Sequence, residues 1–111
     1  MDKGADYRLA TYGTLAPGRP NHHKLEGLTG IWFEGHVRGR LVEQGWGAEM
    51  GYPAIILDET ADPIEVFIFE SDDLPAHWEM FDSFEGSEYV RTVVWAKTDK
   101  GRLCVSIYAL A

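Results

Sequence analysis

Cysteine is nearly absent from this 111-residue chain, in which Cys104 stands alone. A single cysteine excludes an intramolecular disulfide and any cysteine-rich metal site, and a buried structural thiol is its expected role. Long apolar runs are also lacking. The first six residues hold no apolar stretch of the kind found in a secretory signal, and no segment approaches membrane-spanning length. We therefore expect a cytoplasmic protein that does not bind membranes.

Positive charge is scarce as well. The chain has ten Lys and Arg residues and 18 Asp and Glu residues, so its net charge is −8. Without a basic stripe to replace the counterions of a phosphate backbone, the chain is not expected to bind nucleic acid. His22 and His23 are adjacent and point apart, while His36 and His77 are isolated. Because glycine-rich phosphate and dinucleotide motifs are missing too, we predict neither a metal nor a cofactor.

Apolar residues are present in ordinary amounts, at 45% of the chain with 13% aromatic residues. This composition and length predict one globular domain over residues 1–111. Alternating or apolar segments without βαβ order indicate a sheet, and glycines inside them are typical of a strongly curved one. We predict an α+β fold, a small mixed barrel, closed or partly closed, of five or six strands. The predicted strands cover residues 7–12, 31–42, 54–57, 64–69, 89–97 and 102–110.

Two helices are predicted between the strands. The main one covers residues 74–85, after the capping candidates at 71–73 and before Gly86 as a stop signal. A short second helix covers 22–26, with Asn21 as its N-cap. The apolar positions of the main helix are Leu74, Trp78 and Phe81, which lie on one face.

Glu85 falls on that same apolar face, four residues after Phe81. Neighbouring aromatic side chains and the negative end of the helix would both raise the pKa of its carboxyl. A raised pKa suits a general acid–base catalyst at neutral pH. An equally good account is that the helix ends a residue or two earlier, so that Glu85 is a solvated cap residue or pairs with Arg91.

The turn Tyr12-Gly13-Thr14-Leu15 follows the first predicted strand. Its backbone N–H groups can converge on an anion, glycine permits close approach, and Thr14 adds a hydroxyl donor. From this tetrapeptide alone, an ordinary glycine turn is the better account.

Three motifs, in order along the chain, together resemble one family. The first runs from Tyr12 through Gly18 to Pro20-Asn21-His22, the second is 51–54, and the third is 81–86 followed by Tyr89 and Arg91. This pattern is similar to that of the γ-glutamylcyclotransferase-like superfamily, particularly its AIG2-like and γ-glutamylamine cyclotransferase branch. Ala16-Pro17 departs from it, since relatives often carry a basic residue there, and this bears on the substrate more than on the reaction.

The resemblance implies a mixed barrel with a cavity between the Tyr12–Leu15 loop and Glu85. It also implies a cofactor-independent enzyme that releases 5-oxoproline from a γ-glutamyl small molecule, with Glu85 as the catalytic acid–base. The implied substrate-binding residues are Tyr12, Gly13, Thr14 and Leu15, with Tyr89 and Tyr108 as further candidates for lining the pocket. Two alternatives stay open: a binding protein without turnover on the same barrel, and a cyclotransferase of a γ-glutamylated natural-product intermediate.

Overall fold

A computed structural model describes residues 4–13, 15–19, 22–44 and 53–110 of the chain. Within these ranges six strands and one α-helix are found, with short 3-10 turns at Ala5–Tyr7, His22–Leu25 and Leu74–Ala76. The strands are β1 (Arg8–Thr11), β2 (Ile31–Val42), β3 (Ala54–Leu57), β4 (Pro63–Glu70), β5 (Tyr89–Thr98) and β6 (Gly101–Leu110), and the helix is α1 (Trp78–Glu85).

Five of the strands close into a barrel. The order is β2-β4-β1-β6-β5, and β5 returns to pair with β2 at Thr98 and Lys97. Among the described strands, β3 pairs only with β2, along the C-terminal half of β2, and is an additional strand beside the closed barrel. The β1–β6 pair is parallel and the other pairs are antiparallel, so the sheet is mixed. The predicted α+β fold with a small closed barrel is confirmed.

Small and β-branched side chains fill the inside of the barrel. Inward-facing positions recur at every second residue of β4 and β6, as the pleat requires. Each fully buried valine or isoleucine contributes about 1.5–3 kcal/mol relative to an exposed one. Together with Ile55 of the neighbouring β3, these buried residues form one core cluster: Ala10, Val37, Val66, Ile68, Ala96, Val105, Ile107 and Ala109.

Two glycines of β2 allow neighbouring strands to approach closely, Gly35 at the β2–β5 closure of the barrel and Gly39 beside β3. A Cβ at Gly35 would lie 2.9 Å from the side chain of Ile68 and 3.0 Å from the carbonyl oxygen of Lys97 on β5. A Cβ at Gly39 would lie 2.6 Å from the carbonyl oxygen of Ile56 on β3. The bend predicted from these glycines is therefore a close approach of neighbouring backbones, within one continuous twelve-residue strand.

A second apolar cluster lies between the barrel and α1. It contains the predicted stripe, with Leu74, Trp78 and Phe81 at 0%, 6% and 0% exposure. The prediction of one continuous helix over 74–85 was wrong in its first turn, which is a separate 3-10 turn that ends before His77. The carboxylate of Asp73 accepts a hydrogen bond from the Thr29 amide rather than capping this turn.

The predicted strands agree with the structure to within one residue at each end, whereas the predicted second helix differs in type. The predicted second helix is the 3-10 turn His22–Leu25, and its proposed cap Asn21 lies outside the described residues. The final hairpin has a two-residue connection, residues 99–100, because Thr98 and Gly101 already belong to the strands. None of the described helices is long and apolar enough to cross a membrane.

Candidate active site

Glu85 is the last residue of α1. Gly86 follows with φ 80°, a conformation that favours glycine, and its N–H donates to the carbonyl oxygen of Asp82 at 3.1 Å. The helix therefore reaches Glu85, and the alternative of an earlier helix end is wrong. Its apolar neighbours Phe81 and Phe84 belong to the cluster between helix and barrel.

Burial changes the acidity of Glu85. The carboxyl has lost much of its water, and this desolvation raises its pKa from 4.5 to about 7. At neutral pH the group is therefore divided between its acid and base forms. This is the condition in which a carboxyl can both accept and return a proton, as an acid–base catalyst must.

Tyr12 lies at the end of β1, beside the interior of the barrel. Its hydroxyl donates to the carbonyl oxygen of Tyr108 at 2.6 Å and accepts from the amide of Ile55 at 3.1 Å. Burial is the main reason why the pKa of Tyr12 is raised, and the charges of Glu85 and Tyr89 raise it further. Because such influence falls with distance, Glu85 and Tyr89 each lie within electrostatic reach of the Tyr12 hydroxyl.

The loop after Tyr12 leaves space beside its backbone. A Cβ at Gly13 would meet no atom of the described residues within 4 Å, whereas Leu15 is buried in the cluster under α1. The Ala16 amide donates to the Gly13 carbonyl at 3.1 Å, which makes a tight turn. The loop is thus anchored by Leu15 and open at Gly13. Thr14 lies outside the described residues, so its predicted hydroxyl contact stays a prediction.

Asp82, Tyr108 and Arg91 form a polar network close to the end of α1. This network was not predicted from the sequence. Asp82, one turn earlier on α1, accepts from the Tyr108 hydroxyl at 2.6 Å and from two nitrogens of Arg91 at 3.0 and 3.3 Å. Arg91 and Tyr108 are directly opposite on β5 and β6. The Arg91 guanidinium also lies 4.5 Å from the ring centre of Trp78. The network therefore attaches the last turn of α1 to the β5–β6 hairpin.

The two further tyrosine candidates have different surroundings. The Tyr108 ring is buried beside Trp78, and its hydroxyl is bonded to Asp82, so its side chain lies between helix and barrel. Tyr89 packs at the edge of the same cluster, and its charge influences the pKa of Tyr12. The direct contact of either residue with substrate stays a prediction.

In the part of the chain that the structure describes, no three His, Cys, Asp or Glu side chains are placed so as to hold a metal ion.

The sequence and the fold were compared with known proteins. The family model "Gamma-glutamyl cyclotransferase, AIG2-like" matches residues 9–111. A search of curated protein sequences returns no match. The mouse (Mus musculus) AIG2-like protein has a similar structure, with a TM-score of 0.74, 23% identity, and coverage of 95% of this chain and 77% of the mouse chain. At this identity the likeness concerns the fold alone.

Two microbial structures are also similar. YkqA from Bacillus subtilis superposes with a TM-score of 0.72 and 27% identity over 94% of this chain, which spans only 35% of the YkqA chain. An uncharacterized protein, PH0828 from Pyrococcus horikoshii, gives a TM-score of 0.61 and 21% identity, with 93% and 76% of the two chains covered. The match of the family model over nearly the whole chain identifies it: the chain belongs to the AIG2-like γ-glutamyl cyclotransferase family.

Proposed function

We propose that this chain is a cofactor-independent γ-glutamyl cyclotransferase, with Glu85 as its acid–base residue. The observation that supports this most strongly is the pKa of Glu85, raised by burial to about 7, at the end of α1 and near Tyr12. Family membership supports a cyclotransferase-type reaction, and the site supplies a group with the acidity that such a reaction uses.

The reaction closes a ring within one substrate. The α-amine nitrogen of a γ-glutamyl compound forms a bond to the γ-carbonyl carbon, and the bond from that carbon to the departing nitrogen breaks. The products are 5-oxoproline and an amine or amino acid. Glu85, as the carboxylate, takes a proton from the substrate ammonium so that the nitrogen can attack. The protonated carboxyl then delivers that proton to the departing nitrogen, and the second proton that the ring nitrogen must lose also goes to the departing amine, which leaves as an ammonium group.

Orientation supplies much of the remaining acceleration in this proposal. The amine and the carbonyl already belong to one molecule, so the protein needs to hold the chain in a bent conformer. Good orientation of this kind is worth up to about 7–11 kcal/mol. In the proposal, the open backbone at Gly13 and the loop anchored by Leu15 receive the glutamyl group. Loop N–H groups there can donate to its charged oxygens.

The test is a panel of γ-glutamyl amino acids and γ-glutamyl amines, with 5-oxoproline as the measured product. We expect at least one to be converted by the wild type. Glu85→Gln keeps the size of the side chain and cannot transfer the proton, so we expect a loss of at least about a hundredfold in kcat.

Glu79→Gln is the matched control, because Glu79 is an exposed carboxylate on the same helix. It should leave turnover unchanged, and both variants should give wild-type circular dichroism. Turnover by Glu85→Gln at the wild-type rate would show that another group transfers the proton. Binding of γ-glutamyl compounds without any 5-oxoproline would instead favour a binding protein on the same barrel.

A further inference from the structure

A cleft on the side of the barrel is separate from the residues around Glu85. It lies where β5 parts from β2, and β3 forms its opposite wall. Its volume is about 690 Å³, which is within the range of about 300–1,000 Å³ typical of small-molecule sites. Trp95, in its wall, is six residues along β5 from Tyr89, or roughly 20 Å at the usual rise of a strand. The lining residues used below are His36, Arg38, Val93, Trp95, Lys97 and Arg102.

Three basic side chains line this cleft, although the chain as a whole is acidic. Arg38, Lys97 and Arg102 line it, in a chain with ten basic and 18 acidic residues. Over the described ranges, none of these three forms an ion pair with a carboxylate. Arg38 donates one hydrogen bond to the carbonyl oxygen of Ala61 at 2.9 Å. Lys97 and Arg102 thus remain as exposed donors for an anion.

Two carboxylates also border the cleft, and they would repel further negatively charged groups of a ligand. Asp58 accepts from the Thr60 hydroxyl at 2.6 Å and from the Thr60 amide at 2.9 Å, so its carboxylate is engaged within its own turn. Glu59 is exposed on the β3 side of the cleft. The cations Lys97 and Arg102 belong to β5 and β6, opposite that side. The charge of the cleft is therefore divided, with its positive part beside Trp95.

Trp95 provides an apolar surface next to these cations. Its side chain is 53% exposed and that of Val93 is 61% exposed, and both side chains line the cleft. The Arg102 guanidinium lies 5.1 Å from the centre of the Trp95 ring. The exposed indole can stack on the planar ring of a ligand. The neighbouring cations, which have no carboxylate partner among the described residues, can then bind anionic groups attached to that ring.

We propose that this cleft is a second binding site, for a planar aromatic compound that carries phosphate groups, such as a nucleoside diphosphate. The ring stacks on Trp95, and the phosphates are bound by Lys97 and Arg102, with Arg38 at the far end of the cleft. Charge-assisted hydrogen bonds to phosphate are stronger than neutral ones, and the arginine fork can bind two phosphate oxygens. This proposal is independent of the reaction assigned to Glu85.

The test uses ADP as the probe, with adenosine and inorganic pyrophosphate as the two separate halves of its chemistry. Amide NMR spectra of the ¹⁵N-labelled chain should show saturable shifts with ADP in residues 36–38, 93–97 and 102. Adenosine and pyrophosphate should each bind at least about tenfold more weakly than ADP, because each lacks one of the two contacts.

Variants separate the two contacts. The double variant Lys97→Ser with Arg102→Ser should weaken ADP binding about tenfold or more, and added salt should weaken wild-type binding. Trp95→Ala should bring the affinity for ADP down to that for pyrophosphate. Lys100→Ser is the control for the loss of a nearby positive charge, since it removes one such charge from the adjoining turn without lining the cleft. It should bind ADP as the wild type does.

Three results would overturn the proposal. These are the absence of saturable shifts at millimolar ADP, shifts centred on Tyr12 and Glu85 instead of the cleft, and an equal weakening in Lys100→Ser. The double variant should also keep wild-type 5-oxoproline formation, since none of its residues is near Glu85. If turnover is absent in every protein while ADP still binds at the cleft, the proposed function fails and the second site stands.

Discussion

The Tyr12 hydroxyl lies 2.6 Å from the carbonyl oxygen of Tyr108 and joins the ends of two parallel strands, β1 and β6. The same hydroxyl accepts the amide of Ile55, the second residue of β3. One side chain therefore connects three strands at the end of the barrel where Glu85 lies. In the sequence Tyr12 is only the first residue of a turn, whereas in the structure its side chain also holds strands together.

Tyr12→Phe should destabilise the fold. It removes the hydroxyl and leaves a buried amide and a carbonyl oxygen without this partner, which costs about 1–3 kcal/mol. Urea unfolding followed by circular dichroism measures the loss. Tyr108→Phe is the comparison, because its hydroxyl bonds to Asp82, whose carboxylate is 45% exposed and is also paired with Arg91. The smaller loss is expected for Tyr108→Phe, and the opposite order would contradict this account of Tyr12.

The stability of the protein should depend on the protonation of Glu85. Its pKa is about 7 in the folded chain and 4.5 without burial, so between these values the folded state holds more protons than the unfolded state. The stabilising contribution of the protonated carboxyl is therefore complete below about pH 4.5 and is lost as pH rises through about 7. A shift of this size corresponds to about 3 kcal/mol at most.

Glu85→Gln isolates this effect. The free energy of unfolding of the variant, minus that of the wild type, should increase by about 2–3 kcal/mol from about pH 5 to about pH 8. Urea unfolding of both proteins across this range measures it, and Glu79→Gln controls for the general effect of removing one negative charge. A difference that stays constant with pH would mean that the carboxyl is ionised throughout, as in water.

The rate of 5-oxoproline formation should report the same group. Glu85 acts first as a base, so kcat/KM should rise with pH and level off above a pKa near 7. The wild type is assayed from about pH 4 to about pH 8, and the α-amine of the substrate, whose ordinary pKa is about 7.7–8.0, is titrated separately. An inflection near the ordinary carboxyl pKa of 4.5 would contradict the proposed acid–base role.

Asp82→Asn should slow turnover, although Asp82 is not proposed to contact the substrate. Asp82 attaches the last turn of α1 to Arg91 and Tyr108, and Glu85 lies three residues later. Loosening that turn displaces the carboxyl of Glu85, and small displacements of a reacting group cost roughly tenfold to a hundredfold in rate. We expect kcat to fall and KM to change little. Asp72→Asn, an exposed carboxylate before the helix, is the control and should have wild-type kinetics.

The local elements of this protein follow from its sequence with few errors. Alternating and apolar segments predicted all six strands, and the spacing of Leu74, Trp78 and Phe81 predicted the face of α1 that packs on the barrel. The interruption of the helix before His77 was missed because Pro75 is compatible with a first turn of either an α-helix or a 3-10 helix. Such local differences change the hydrogen bonding of one turn and leave the buried face the same.

The position of Glu85 on an apolar face was also evident from the sequence, but its acidity was not. The pKa depends on how much water the folded chain removes from the carboxyl, and the cluster that contains Phe81 and Phe84 is assembled from distant segments of the chain. The same holds for Asp82, whose partners Arg91 and Tyr108 are on two strands of a later hairpin. No spacing rule predicts that a helix acid will meet this pair.

What the sequence alone determined is therefore the set of strands and the helix, the apolar face that carries Glu85, and the motifs typical of the family. Only the tertiary structure decided which residues meet: Tyr12 with Ile55 and Tyr108, Asp82 with Arg91, and buried Arg8 with Glu70, 62 residues apart at 2.8 Å. The reason is physical. Periodicity follows from the local geometry of the backbone, whereas barrel closure brings together side chains whose separation along the chain carries no information about distance.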